Sequence, residues 1–252
     1  MTIRNFCCFY INSITTFDAM KQLTYFEDLG LRSYKDIWDY QEILMKQNTD
    51  LKLNEETRGN TINRLLFVEH PPVYTLGKSG DISHVLIGEE EMKKRGMEFF
   101  HINRGGDITF HGPEQLVGYP IIDLDKFKTD LGWYLRSLEE IIILTIADYG
   151  LVGDRSAGET GVWLNPGIKG KERKICAMGI KCSRWVTMHG FALNVNTDLN
   201  YFNFIVPCGI QNKQVTSIEK ELGRKVDMQE VKDKVKKNFE LVFDTDVVPG
   251  TV

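Results

Sequence analysis

The sequence predicts one α+β domain, a mixed sheet with flanking helices. Three observations lead there. Strand-like and helix-like segments are interspersed without the regular alternation of a doubly wound sheet. No segment repeats. The 252 residues, 42% apolar and 26% charged, describe a globular chain long enough to bury one large core, which excludes disorder, collagen-like repeats and a coiled-coil rod. The net charge of −4 argues against nucleic acid as the partner. The most apolar run, Ile141 to Ala147, is far shorter than the roughly 20 residues of a membrane helix, so no membrane association is expected. Cys7, Cys8, Cys176, Cys182 and Cys208 are odd in number and form no C-x-x-C pair, which points to a reducing cytoplasm rather than a disulfide framework or a zinc site. Residues 1–19 lack a continuous apolar core and a small-residue cleavage site. They read as an N-terminal extension before a domain spanning 20–252.

Thr24 to Glu27 leans toward β structure, and Ile37, Trp38, Gln41, Leu44 and Met45 follow a helical period. The polar stretch Gln47 to Asn63 reads as a loop or insertion. Arg64 to Glu69 is an apolar strand stopped by Pro71-Pro72, because proline lacks a ladder donor and restrains its predecessor. Gly77-Lys78-Ser79 ends like a phosphate loop, but Pro72 stands where that motif needs glycine. Strands at Glu98 to Ile102 and Gln115 to Ile122 flank a loop from Arg104 to Glu114. Leu131, Leu135, Leu138, Ile142, Ile146 and Tyr149 form one helical stripe, with Asp130 as N-cap and Gly150 as stop. Further strands are expected at Gly161 to Leu164, Ile175 to Ile180 and Trp185 to Val195. Asp227 and Glu230 resemble a capping box opening a last helix to about Phe243.

Three clusters carry residues able to do chemistry. Arg104 to Gln115 holds three glycines, an arginine and a histidine; it is either a tight strand connection or a cradle in which glycines let backbone approach a ligand. Lys174 opens an apolar strand, where a lysine snorkels to solvent unless its stem is buried beside a pocket, which makes it a competent acid or base. His189 before Gly190 reads as a satisfied strand-end histidine. Pro207-Cys208-Gly209 sets a cysteine between the stiffest and the most permissive residue, a turn that can present sulfur at a cleft mouth or simply fill space.

Taken together and in order, these motifs resemble the lipoate-protein ligase B family of octanoyltransferases. The matching residues are Glu69 to Gly77, Arg104 to His111 with Gly112-Pro113 and Gln115 to Val117, Lys174-Ile175 with Ala177 and Gly179, His189-Gly190 with Ala192 and Asn194-Val195, and Pro207 to Gly209. The match spans roughly Leu23 to Gly223. It implies the catalytic fold of biotin and lipoate protein ligases, and an acyltransferase that moves octanoyl from octanoyl-acyl carrier protein to a lysine of a lipoyl domain. The implied acceptors are lipoyl domains of 2-oxoacid dehydrogenase complexes and the glycine cleavage H protein.

By motif, the resemblance implies Cys208 as acyl acceptor and Lys174 as its partner. The implied substrate-binding residues are Arg104, Gly105, Gly106, Asp107, Ile108, Thr109, Phe110 and His111, then Ala177, Met178 and Gly179, then Gly190, Phe191 and Ala192. A thioester donor is already activated, so no cofactor is expected, neither ATP nor a metal. A contacting cysteine and lysine share a proton and titrate as a unit, which suits thiolate attack first and amine attack second.

Glu114 departs from the family, which usually has glycine there; if the backbone needs positive φ, glutamate costs on the order of 1 kcal/mol. An ATP-dependent ligase would not need Cys208, an inactive lipoyl-domain binder would have lost the dyad, and a cysteine hydrolase would recruit His111 or His189. Lys169, Lys171, Arg173, Lys181 and Arg184 surround Lys174 in sequence and are expected to form a basic rim for the acidic carrier protein. Ile108, Ala177, Met178 and Phe191 are expected to wall a closed acyl channel.

Overall fold

The computed structural model describes residues 21–206 and 214–250. Twelve described strands form two sheets. In the large sheet, β1 (Gln22–Leu31) lies between β12 (Thr245–Pro249) and β2 (Asn63–Glu69), parallel to both. The order continues antiparallel through β6 (Gln115–Ile121), β10 (Val186–Asn194), β9 (Arg173–Ser183), β8 (Val162–Leu164) and β7 (Gly153–Asp154). The short β11 (Gln214–Val215) pairs in parallel with β9 at Arg173 and Lys174. The small sheet is β4 (Glu98–His101), β3 (Val73–Leu76) and β5 (Ile108–His111). This is the α+β mixed sheet expected.

Helices cover both faces of the large sheet. On one face α1 (Tyr34–Leu51) packs Ile37, Leu44 and Met45 against Leu66, Val68, Val117, Tyr119 and Met188. On the other, α3 (Leu131–Ala147) and α5 (Met228–Phe243) cover Leu65, Phe67, Leu116, Phe191 and Leu193. Alternate residues of β2 therefore serve different cores, which is why Leu65 to Val68 is apolar without a break. Two small helices, α2 (Glu89–Lys94) and α4 (Ile218–Leu222), complete the described set; α2 lends Met92 to the core of the small sheet.

Asp130 caps α3 by accepting from Trp133 N, and Gly150 turns the chain at φ +76, as predicted. Asp227 caps α5 by accepting from Gln229 N at 2.7 Å, but Glu230 lies 3.7 Å from Lys234 and no reciprocal capping bond is seen. The stretch Gln47 to Asn63 corrects the sequence reading: α1 runs on to Leu51. In its polar last turn Asn48 and Thr49 are buried; Asn48 donates to Ile62 O and accepts from Ile62 N, which pins the return to β2. The segment Arg104 to Glu114 is not all loop either, since Ile108 to His111 pairs with β3.

Between β5 and β6, Glu114 adopts φ +59, so the departure from glycine is a real backbone strain. Its N–H donates to the Glu69 carboxylate at 2.7 Å and its own carboxylate accepts from Lys225. Replacing Glu114 with glycine should relieve the strain and raise unfolding stability by about 0.5–1 kcal/mol, seen as a melting temperature higher by about 2 °C. A lower melting temperature would show that the Lys225 pair outweighs the strain, since glycine keeps the N–H that bonds Glu69.

Candidate active site

A cavity enclosing about 810 Å³, its open mouth included, lies where the small sheet meets β9 and β10. Glycines set that meeting. Gly105 N donates to Ile180 O at 2.9 Å, and a Cβ on Gly179 would sit 2.7 Å from Gly105 O. From the other side, a Cβ on Gly77 would fall 2.3 Å from Gly106 O. No side chain fits at either contact. Arg104, 8% exposed, spans the junction by donating to Thr75 O, Thr75 Oγ1 and Gly105 O.

Ala177 pairs with Ala192 and Gly179 with Gly190 across β9 and β10. Opposed and alternate residues share a face, so the four smallest side chains leave a trough. Met178 and Phe191 close it from the main core, and Ile108, Thr109 and His111 close it from the small sheet. Phe110 turns the other way and stacks on Tyr201 at 4.6 Å. Of the sequence-predicted substrate residues, Arg104, Gly106, Asp107, Ile108, Thr109, His111, Ala177, Met178, Gly179, Gly190, Phe191 and Ala192 line the cavity. Gly105 and Phe110 do not: the first anchors the loop, the second fills a core.

Lys174 stands at the β11 end of the trough. The register of β9 against β8 slips between Val162 and Trp163, a bulge that sets Lys174 opposite Trp163. Its Nζ lies 4.6 Å from the centre of the Trp163 ring. Gly161, at φ +106, packs under it; a Cβ there would meet Cys176 O at 2.4 Å and Lys174 Cε at 3.6 Å. The fully buried Glu139 holds this turn by accepting from Gly161 N, Arg136 and Arg155.

Cys208, with Cys7 and Cys8, lies outside the described residues. On either side of it, Val206 N donates to His84 O and Gln214 N to Glu172 O. Burial pushes the thiols of Cys176 and Cys182 up, so these two remain protonated fillers.

The opposite end of the cavity is polar, with Arg104 as its one cation among neutral rings. Tyr34, Tyr119, His111 and His189 line it, and His70 lies behind, bonded to the Tyr119 hydroxyl at 2.9 Å. Gln115 spends its amide hydrogens on Phe110 O and Asn194 Oδ1, so its Oε1 accepts from His111 Nδ1–H. Desolvation lowers the pKa of His70 to about 4 and of His189 to about 3, and holds His111 well below the ordinary histidine value. Arg104 adds to the lowering of His189 and His111. Tyr34, Tyr119 and His189 were missed as lining residues. Tyr34 does extend the buried stripe of α1, but nothing local in the sequence says what that stripe faces.

Residues 33–240 match the lipoyl protein ligase A/B catalytic domain. The chain belongs to that family. An octanoyltransferase of Flavobacterium johnsoniae is 58% identical over 226 residues, covering 88% of this chain and 97% of its own. One of Christiangramia forsetii is 56% identical over 224 residues, covering 87% and 95%. Among solved structures, a lipoate-protein ligase A bound with ATP superposes with TM-score 0.66 at 15% identity over 92% of this chain and 90% of that one. A bi-partite lipoate protein ligase from Thermoplasma acidophilum superposes with TM-score 0.65 at 16% identity, covering 92% and 87%. At those identities the structural likeness establishes the shared fold.

In this ligase-family domain the five cations expected to rim the cavity do not form one patch. Arg173 is engaged by Glu221 at 2.5 and 2.6 Å, and Lys181 by Glu42 at 3.0 Å. Arg184 sits in the β9–β10 turn, about 33 Å of extended strand from Lys174. Only Lys169 and Lys171 of the five are exposed at the Lys174 end. Neighbours in sequence are spread out because a strand is the longest path a chain can take.

The three buried histidines also set the acid limit of the domain. Each binds its proton more weakly folded than unfolded, so stability is complete above the unfolded value near 6.5 and falls as pH drops toward about 4 and about 3. Urea unfolding should lose up to about 1.4 kcal/mol per pH unit for each histidine over that window. A flat profile from pH 6.5 to 4 would mean that the histidines are not buried as neutral groups.

Proposed function

We propose that the chain is an octanoyltransferase that moves octanoyl from octanoyl-acyl carrier protein to a lysine of lipoyl domains, in the cytoplasm, through a thioester on Cys208. The observation that carries this is a blind apolar trough whose open end holds Lys174, in a chain more than half identical to relatives named octanoyltransferase. The acceptors fitting this reading are the lipoyl domains of 2-oxoacid dehydrogenase complexes and the glycine cleavage H protein.

The steps balance without ATP. Cys208 sulfur attacks the donor carbonyl, its bond to carbon forms as the carrier's thioester bond breaks, and the carrier leaves as a thiol with the proton. The acceptor lysine, as a neutral amine, then attacks the new thioester; the amide forms, Cys208 is released, and the amine's proton returns to the sulfur by way of Lys174. Gly161 makes room for the lysine stem, and the Trp163 ring holds its ammonium head beside the cavity.

Mixing the protein with octanoyl-acyl carrier protein in the absence of ATP should add the mass of one octanoyl group. Cys208→Ala should abolish the adduct, and Lys174→Met should slow transfer by about 10²–10⁴-fold. A Cys208→Ala protein that transfers at the wild-type rate would end the thioester mechanism, and an adduct that needs ATP would favour a ligase.

Ala177→Leu tests the channel. Filling the trough floor at this position should reduce octanoyl transfer on the order of tenfold while sparing butanoyl, since each methylene denied burial forfeits about 0.8 kcal/mol. An unchanged chain-length profile would place the acyl chain elsewhere.

A further inference from the structure

Asp107 is the one carboxylate among the described residues that line the cavity, whose cations are Arg104 and Lys174. It immediately precedes β5, in alternation with Thr109 and His111, which line the cavity too, while Phe110 turns to the core. Its side chain is 13% exposed, so the carboxylate is open to a ligand yet largely withdrawn from water. No step of the transfer uses it.

This carboxylate is held in place. His84 Nδ1 lies 2.6 Å from Oδ2, and because a carboxylate only accepts, Nδ1 carries the hydrogen. Oδ1 accepts from Asp81 N at 3.2 Å, and a Cβ on Gly80 would fall 2.9 Å from that same oxygen, so the turn reaches Asp107 only where a side chain is missing. His84 is fixed through its own backbone, its N donating to Asp81 O at 3.0 Å and its O accepting from Val206 N at 2.8 Å. A carboxylate offers about four acceptor sites. Those two bonds leave the others unclaimed by the described residues.

The transfer brings a donor that needs them. A lysine in water keeps its proton up to a pH of about 10.4, so the acceptor arrives as an ammonium at a cavity that already holds two cations. Like charges repel more strongly where water is excluded. A carboxylate on the wall offsets that repulsion and accepts charge-assisted hydrogen bonds from the ammonium. The octanoyl thioester is uncharged at its reacting end and has no such need.

We propose that Asp107, steadied by His84, receives the ammonium of the acceptor lysine at the cavity and holds it until its proton is lost. His84 is a positioning residue, which acts on the acceptor only through the carboxylate. The proton then leaves by the route through Lys174, and the neutral amine attacks the thioester. The assignment rests on the octanoyl-transfer reading above.

Two nucleophiles test it on the octanoylated full chain. A lipoyl domain presents a cationic lysine, whereas hydroxylamine is uncharged at neutral pH and cleaves the same thioester. Asp107→Asn should lower kcat/KM for the lipoyl domain about tenfold, chiefly through KM, while discharge by hydroxylamine and loading from octanoyl-acyl carrier protein stay within about twofold of wild type. His84→Gln, which keeps the charge but loosens its hold, should show the same selectivity with a smaller loss, and it decides the matter alone if the asparagine variant does not fold. Equal losses toward both nucleophiles would reduce the pair to a fastening of the turn and overturn the proposal. An unchanged kcat/KM for the lipoyl domain would overturn it as well, by placing the ammonium elsewhere. A wild-type protein that takes up no octanoyl would instead refute the underlying activity.

Discussion

Everything at the site depends on backbone touching backbone where the glycine loop crosses β9. Two sheets with ordinary side chains pack about 10 Å apart. Here Gly105 bonds directly to Ile180 O, and Gly179 and Gly77 leave no Cβ between the loop and the strands it joins. That contact clamps the small sheet against the large one at a single line. The cavity lies alongside that line, walled by the loop, β5, β9 and β10. A methyl group at Gly179 would pry the loop away, so the trough's shape is set as much by the side chains absent at Gly179 and Gly77 as by those present.

The same junction explains the electrostatics. Arg104 is a buried cation whose guanidinium is met by backbone and hydroxyl oxygens of Thr75 and by Gly105 O, so its charge helps keep His111 and His189 neutral. Lys174 lies at the other end, its Nζ over the Trp163 ring, its stem beside Gly161 and its strand partner β11 alongside. The cavity thus runs from one cation, Arg104, held among neutral histidines and tyrosines, to another, Lys174, held against an indole.

Much of this was legible in the sequence, for identifiable reasons. The helical stripe of α3 with its Asp130 cap and the apolar run of β2 are local signals set by periodicity, so they survive without tertiary context. Ala177, Gly179, Gly190 and Ala192 came through the resemblance of the motifs, and their pairing across β9 and β10 is seen only in the fold. Other features were hidden because they are tertiary. The polar last turn of α1 looks like loop until Asn48 finds Ile62 across the chain return. The four residues of β5 are too short to declare a strand against a run of flanking glycines. Cations near Lys174 in sequence suggested one patch, yet Arg173 and Lys181 are paired to Glu221 and Glu42 from other elements.

Glu114 and His189 show two ways in which the fold holds a residue with a side chain at positive φ. Both are non-glycine residues at φ +59, and both sit in motifs that line or border the cavity. Glu114 is half-buried, and each of its polar groups is satisfied: its N–H by Glu69, its carboxylate by Lys225, its carbonyl by Asn196 and Thr197. Removing its side chain costs the site nothing that geometry reveals. His189 is buried, and the bonds around it, to Gln41 and Asn103, hold the strained conformation in place while leaving Nδ1 unmatched.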